Sequence, residues 1–218
     1  MFSSCDTFVS VKKSINKSLN KLKSDYVDLL LIHQPFGDYY GTYRAMEEAY
    51  KDGKARAIGV SNLYPDRFLD IEHFSEIKPA VNQVETHVFQ QQKTARKYLE
   101  KYNTQIMSLG PFAEGKNDYF NNTVLKEVGA NHNKSTAQIA LRFLLQSGVV
   151  LIPKSTHENR MKENINIFDF ELTDDEMKKL RHSIWVRAFS SLITIPKQLS
   201  GLCQFCKINF TLHPYCIG

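Results

Sequence analysis

Short apolar runs alternate with amphipathic stretches along most of this chain. Val11, Ile15, Leu19 and Leu22 recur at helical spacing between Ser10 and Lys23. The run Tyr26-Val27-Asp28-Leu29-Leu30-Leu31-Ile32 reads as a buried strand ending at His33. Thr42 to Asp52 reads as a helix with Met46, Ala49 and Tyr50 on one side, closed by Gly53. Residues 55–60 read as a strand ending at Ser61-Asn62, and Pro65 to Phe74 as a helix with proline in its first turn. Val81–Val84 and Gln105–Leu109 read as strands, with a helix from Gln91 to Tyr102 between them. Beyond Gly110-Pro111, a loop and a short helix lead to a helix from Ser135 to Gln146, with Ser135 as its cap. Val149–Ile152 reads as a fifth strand, running into Pro153 and a helix over 156–164. A last helix, Asp174 to Leu180, follows Thr173, which forms a capping box with Glu176.

Strand–helix alternation of this kind implies an α/β fold: a parallel sheet with helical crossovers. Polar residues gather just past the strand ends: His33, Ser61-Asn62, Glu85-Thr86, Gly110-Pro111 and Lys154-Ser155. In a barrel of parallel strands that is the face where sites form. In a doubly wound sheet it is the switch-point crevice. No Gly-x-Gly-x-x-Gly follows any of these strands, which weighs against the doubly wound arrangement.

Composition narrows the function classes. The chain has 218 residues, 42% hydrophobic and 23% charged, the profile of an ordinary globular protein. A net charge of +5 does not by itself imply nucleic acid, and no partner of that kind is expected. No apolar run approaches a membrane span, and Met1-Phe2-Ser3-Ser4-Cys5-Asp6 lacks the layout of a signal peptide, so the cytoplasm is the expected location. Four cysteines do not make a disulfide framework. Composition shifts after Leu180. Residues 181–218 carry Arg181, Arg187, Lys197 and Lys207, no acidic residue and three of the four cysteines. They are expected to form a basic, poorly ordered tail behind a body of residues 1–180. Cys203, Cys206, His213 and Cys216 do not follow a standard zinc spacing, and no metal site is expected.

The stretch from Ile152 to Asn164 concentrates the chemistry. Lys154 and Arg160 bring positive charge to a strand end. Ser155 and Thr156 bring hydroxyls and an N-cap for the helix that follows. That helix N-terminus adds unpaired N–H groups and a positive dipole end. Together they suit a phosphate, especially an isolated one on a ribose; an ordinary β–α junction with solvated charges is the plain alternative.

The order of motifs resembles the aldo-keto reductases over roughly residues 10–180. Residues 25–35, Asp-Tyr-Val-Asp-Leu-Leu-Leu-Ile-His-Gln-Pro, are similar to that family's fourth barrel strand. Gly53 to Asn62 resembles the fifth, Val81 to Glu85 the sixth, Gly110 to Gly115 the loop after the seventh, and Val149 to Asn164 the eighth strand with its cofactor helix. The resemblance implies a partial TIM (β/α)8 barrel, strands 4–8 with their helices, lacking strands 1–3. It implies NADPH-dependent reduction of a small aldehyde or ketone by hydride transfer. His33 then orients the substrate carbonyl. Ser61, Asn62 and Gln83 hold the nicotinamide carboxamide. Leu109 stands where the family often has an aromatic ring on the nicotinamide. Lys154, Ser155, Thr156, Arg160 and Asn164 surround the 2′-phosphate and adenine, with Glu163 close by. An Arg and a Lys at that place argue for NADP(H).

The chain also departs from the family. The family's proton-donating Tyr, and the Asp and Lys that lower its pKa, belong upstream of the first helix. Asp6-Thr7 mimics the start of the Asp-Thr-Ala…Tyr motif, but Val11 stands where the Tyr would be. The expectation is an N-terminally truncated barrel with impaired catalysis, or alternatively a non-catalytic NADP-binding or regulatory fragment. Its open sheet edges would expose apolar surface. Tyr39, Tyr40 and Tyr43 are expected in a loop on the site face. His87, His132 and His182, and the pairs Glu47-Glu48 and Lys178-Lys179, are expected to be solvated. The substrate and the oligomeric state are not legible.

Overall fold

The predicted alternation of strands and helices becomes a parallel sheet in the computed structural model, which describes residues 2–3, 8–116 and 118–188. The strands β2 (Leu30–Gln34), β3 (Ile58–Ser61), β4 (Val81–Glu85) and β5 (Gln105–Leu109) lie side by side in chain order. All pairings are parallel, so equivalent strand ends share one face. β3 is buried at every position, as expected for a strand covered on both faces. Gly59 is required there. A Cβ at that position would stand 2.7 Å from the carbonyl oxygen of Val81, so the neighbouring strand could not approach.

Two strand expectations need correction. A short strand, β1 (Phe2–Ser3), pairs with β2 through Phe2–Ile32 and Ser3–Gln34, so the sheet begins one strand earlier than expected. Two residues are too few to carry a period in the sequence. At the other edge, residues 149–152 form a single bridge, Val150 to Met107, instead of a full strand. Val150 N donates to Ile106 O at 3.0 Å and Ser108 N to Val150 O at 2.9 Å. The preceding N–H, on Val149, is taken by Leu144 O at the end of a helix, and Pro153 has none to offer. Beside this edge, Leu151, Pro153, Met161, Ile165 and Phe168 line an apolar groove of about 640 Å³.

The helices are α1 (Phe8–Leu22), α2 (Tyr39–Lys51), α3 (Pro65–Phe74), α4 (Lys93–Lys101), α5 (Thr123–His132), α6 (Thr136–Gln146), α7 (Glu158–Ile165) and α8 (Asp174–Ala188). α1 buries Val11, Ile15 and Leu19, its predicted stripe, each side chain worth about 1.5–3 kcal/mol. α2 starts earlier than predicted because Asp38 caps it, accepting from Gly41 N at 2.8 Å. Tyr39, Tyr40 and Tyr43 therefore lie on a helix and not in a loop. Tyr43 is buried and donates its hydroxyl to Ile77 O at 2.9 Å. Glu47, expected to be solvated, is buried too; its carboxylate accepts from Glu76 N at 2.7 Å and Ile77 N at 2.8 Å. The backbone N–H groups of Glu76 and Ile77, in the chain that follows α3, draw in a carboxylate that sequence spacing alone leaves on the surface.

α6 begins with the predicted Ser135 cap, which forms a full capping box with Gln138. The core lies between sheet and helices: Ile58, Val60 and Ile106 meet Val11, Met46, Phe68, Ile139 and Phe143. His132, expected to be solvated, meets the Glu176 carboxylate at 2.9 Å and ties α5 to α8. Burial works to raise Glu176, but hydrogen bonds from His132 and Thr173 outweigh it and hold the carboxyl below its ordinary range. Asp6-Thr7 and the four cysteines, with His213, lie outside the described residues.

Candidate functional site

Parallel strands carry His33, Ser61-Asn62 and Gln83 to one end of the sheet, and hydrogen bonds then link them. Ser61 is fully buried, and its hydroxyl donates to Gln83 O at 2.9 Å. Asn62 follows with φ of 58°, a left-handed conformation that asparagine tolerates better than most residues. This turn lets Asn62 N donate to the same Gln83 carbonyl at 2.9 Å. Its Nδ2 reaches Ser61 Oγ at 3.2 Å and His33 O at 3.5 Å. One network therefore spans three neighbouring strand ends. His33 itself is half-buried.

Gln83 is 1% exposed and its Oε1 has no hydrogen-bond partner among the described residues. An unsatisfied buried carbonyl costs about 1–3 kcal/mol, so its presence calls for an explanation. Gln83 lines a cavity of about 270 Å³ together with Ser108, Leu109, Phe112 and Lys154. Leu109 is in register with Glu85 and partly exposed.

A second cavity of about 570 Å³ adjoins, sharing Phe112 and Lys154 with the first. It brings together every residue predicted for the phosphate end: Lys154, Ser155, Thr156, Arg160, Glu163 and Asn164. The two cavities form one trough from Gln83 to Arg160. Neither Lys154 nor Arg160 makes an ion pair among the described residues. Both are exposed. In contrast, Lys162 on the same helix pairs with Glu158 at 2.7 Å.

Three local details differ from the sequence reading. The N-cap of α7 is His157, not Ser155 or Thr156. Ser155 instead accepts the His157 N–H at 3.1 Å, a turn just before the helix. Glu163 is engaged within the protein, its carboxylate accepting from Ser135 Oγ. His87, expected to be solvated, is buried beside β4. Its Nδ1 accepts the Phe89 N–H at 3.1 Å and its Nε2 meets Glu85 Oε1 at 3.1 Å. The bond from His87, opposed by burial, holds the Glu85 carboxyl below its ordinary range.

The sequence reading missed Phe112, Phe120 and the Ser135-Thr136-Ala137 turn as walls of the larger cavity. Ser135 was legible as a cap, but not its place over the trough. Phe112 is placed by a run of left-handed backbone at Gly110, Ala113, Glu114 and Gly115, in which only the glycines give a signal in the sequence.

The cavities lie at the end of a parallel α/β sheet where, in barrels of this kind, active sites form. Residues 3–184 match the aldo/keto reductase family, and the chain belongs to it. It is 47% identical to glyoxal reductase of Bacillus subtilis (strain 168) over 168 residues, covering 77% of this chain and 60% of that protein. It is also similar to the crystal structure of MGS-M4, an aldo-keto reductase enzyme from a Medee basin deep-sea metagenome library. That match has a TM-score of 0.80 and 36% identity, over 84% of this chain and 68% of the other. An aldo-keto reductase of Bombyx mori, solved in complex with NADP, matches with a TM-score of 0.77 and 30% identity, over 84% of this chain and 65% of the other. This chain spans about three fifths of the length of the curated relatives it matches. Among the described residues, no helix is long and apolar enough to cross a membrane.

Proposed function

We propose that the trough holds NADP(H) and that the chemistry is reduction of a small aldehyde or ketone. The carrying observation is the pair of opposite features at its two ends. Among the described residues the buried amide oxygen of Gln83 has no partner, matching a carboxamide donor, and Lys154 and Arg160 make no ion pair, matching a phosphate. A bound NADPH supplies the hydride. Ser61, Asn62 and Gln83 orient the carboxamide end, and Leu109 packs beside it without aromatic stacking. Lys154, Ser155, Thr156, Arg160 and Asn164 hold the adenosine end, with Glu163 bracing the helix that carries two of them. His33 orients the substrate carbonyl.

The proton donor is the weak point. Between β1 and α1 the sequence is Ser4-Cys5-Asp6-Thr7, with neither tyrosine nor lysine. Without a positioned acid, carbonyl reduction by these 218 residues should be slower by about 10²–10⁴-fold than with one. Titration of NADPH fluorescence against this chain, beside turnover of glyoxal, tests both halves. Binding with slow turnover is expected. No binding removes the reading, and binding with no turnover at all leaves a nucleotide-binding protein without the reaction.

A further inference from the structure

The helix that carries the phosphate end has no apolar anchor. None of the eight residues of α7 is buried, and Met161 and Ile165 are exposed. His157 makes no side-chain cap bond. A helix this short is not stable by itself, so its position must come from tertiary contacts.

Those contacts come from one face of α6. Gln138 Nε2 donates to Asn166 O at 2.8 Å and to Glu163 O at 3.3 Å, at the C-terminal end of α7. Gln138 Oε1 accepts from Ser135 N at 3.1 Å, and Ser135 Oγ donates to the Glu163 carboxylate. One turn on, Arg142 Nη1 donates to Ile167 O at 3.1 Å. Its Nε reaches Gln146 Oε1 at 2.9 Å and its Nη2 reaches Glu171 Oε1 at 3.1 Å. At the far end, Gln146 accepts from Leu172 N at 2.8 Å and donates to Leu172 O at 3.0 Å. Positions 138, 142 and 146 are four apart, hence one stripe along the helix. Gln138 and Arg142 are each 7% exposed, and neither lines the trough.

We propose that Gln138 and Arg142 are positioning residues for the phosphate end. They fix the C-terminal end of α7 and the chain leaving it, and so aim Arg160 and Asn164 into the trough. A free helix would sample many directions; Gln138 on its terminal carbonyls and Arg142 on the carbonyl of Ile167 just beyond select one. The proposal rests on the NADP(H) reading above, and the test separates the two.

The readout is the ratio of NADPH to NADH affinity, measured by fluorescence titration of the whole chain. A general loss of stability lowers both affinities together, whereas a misaimed Arg160 weakens only the ligand with the 2′-phosphate. Gln138→Met should lower NADPH affinity roughly tenfold and change NADH affinity less than about twofold, the scale of two lost hydrogen bonds. Glu127→Ala removes the ion pair to Lys179 between α5 and α8, touches neither Gln138 nor Arg142, and should leave the ratio unchanged. If Gln138→Met cannot be purified folded, Arg142→Lys carries the same test, because lysine keeps the charge near Glu171 and loses the fork that reaches Ile167 O. An unchanged ratio, or parallel losses of both affinities, overturns the positioning role. A wild-type chain that binds no NADPH instead overturns the cofactor reading.

Discussion

The two ends of the trough are built on opposite principles. At the Gln83 end, Ser61 and Gln83 are essentially inaccessible and three strand ends are interlocked by hydrogen bonds. At the Arg160 end, Lys154 and Arg160 are exposed and make no ion pair among the described residues, and Arg160 is carried by a helix with no buried residue. The buried end fixes geometry and carries the strain of an unsatisfied amide. The exposed end offers charge, which acts at a distance but is weakened by salt. Orientation of a ligand should therefore come from one end and most of its phosphate-dependent affinity from the other.

The largest effect expected from this contrast is at the exposed end. Arg160→Ala should weaken NADPH by about 10- to 100-fold, the scale of a charge-assisted hydrogen bond to phosphate. NADH should change little, and the stability of the chain should not move, since Arg160 is exposed and makes no ion pair among the described residues. The NADPH affinity of the wild type should fall as salt is raised, and that slope should flatten in the variant. Equal losses for NADPH and NADH would mean that Arg160 does not meet the 2′-phosphate, and the contrast between the ends would collapse.

The contrast also explains which features could be read from the sequence. α3 and β5 lie where the sequence pattern placed them, and Ser135 caps α6 as expected. The exposed cluster stood out in the sequence because it is contiguous: Lys154 to Asn164 is one segment, and its predicted site residues line one cavity. The errors fall where tertiary partners override local pattern. Glu47 and His87 carry polar side chains that the sequence leaves in water, yet backbone N–H groups of distant or turning segments draw both inside. The strand expected at 149–152 dwindles because α6 takes the Val149 N–H and proline follows. The stripe of α6 under α7 was not legible either, since it joins residues about 25 positions apart through main-chain carbonyls, which have no signature in a sequence.

A smaller effect separates stability from binding at the buried end. Gln83→Leu replaces an unsatisfied amide with an apolar group of similar size. Thermal unfolding should show the variant as stable as the wild type or more so, by about 1 kcal/mol, because the orphaned acceptor is gone. NADPH and NADH should both weaken, by about five- to tenfold, for lack of a partner to the carboxamide. The parallel loss is the signature of this end, opposite to the selective loss at Arg160. If the variant binds both nucleotides as well as the wild type does, the buried amide serves neither.

The smallest effect concerns the rim of the buried end, where His87 meets Glu85. Nδ1 of His87 accepts a backbone N–H, so the ring proton sits on Nε2 and is donated to the Glu85 carboxylate at 3.1 Å. The carboxyl is held below its ordinary value of 4.5, chiefly by that bond. The folded chain therefore binds this proton less readily than the unfolded one. The resulting stability is present above about pH 4.5 and is lost as pH falls through the depressed value. Glu85 is 65% exposed, so solvent screening limits the contribution to about 0.5 kcal/mol. In urea melts at several pH values, Glu85→Gln should lie below the wild type by that amount at pH 7, and the gap should close on acidification. A gap that stays constant with pH would show that the His87 bond does not stabilise the ionised carboxylate, and the buried end would owe its order to the amide and hydroxyl network alone.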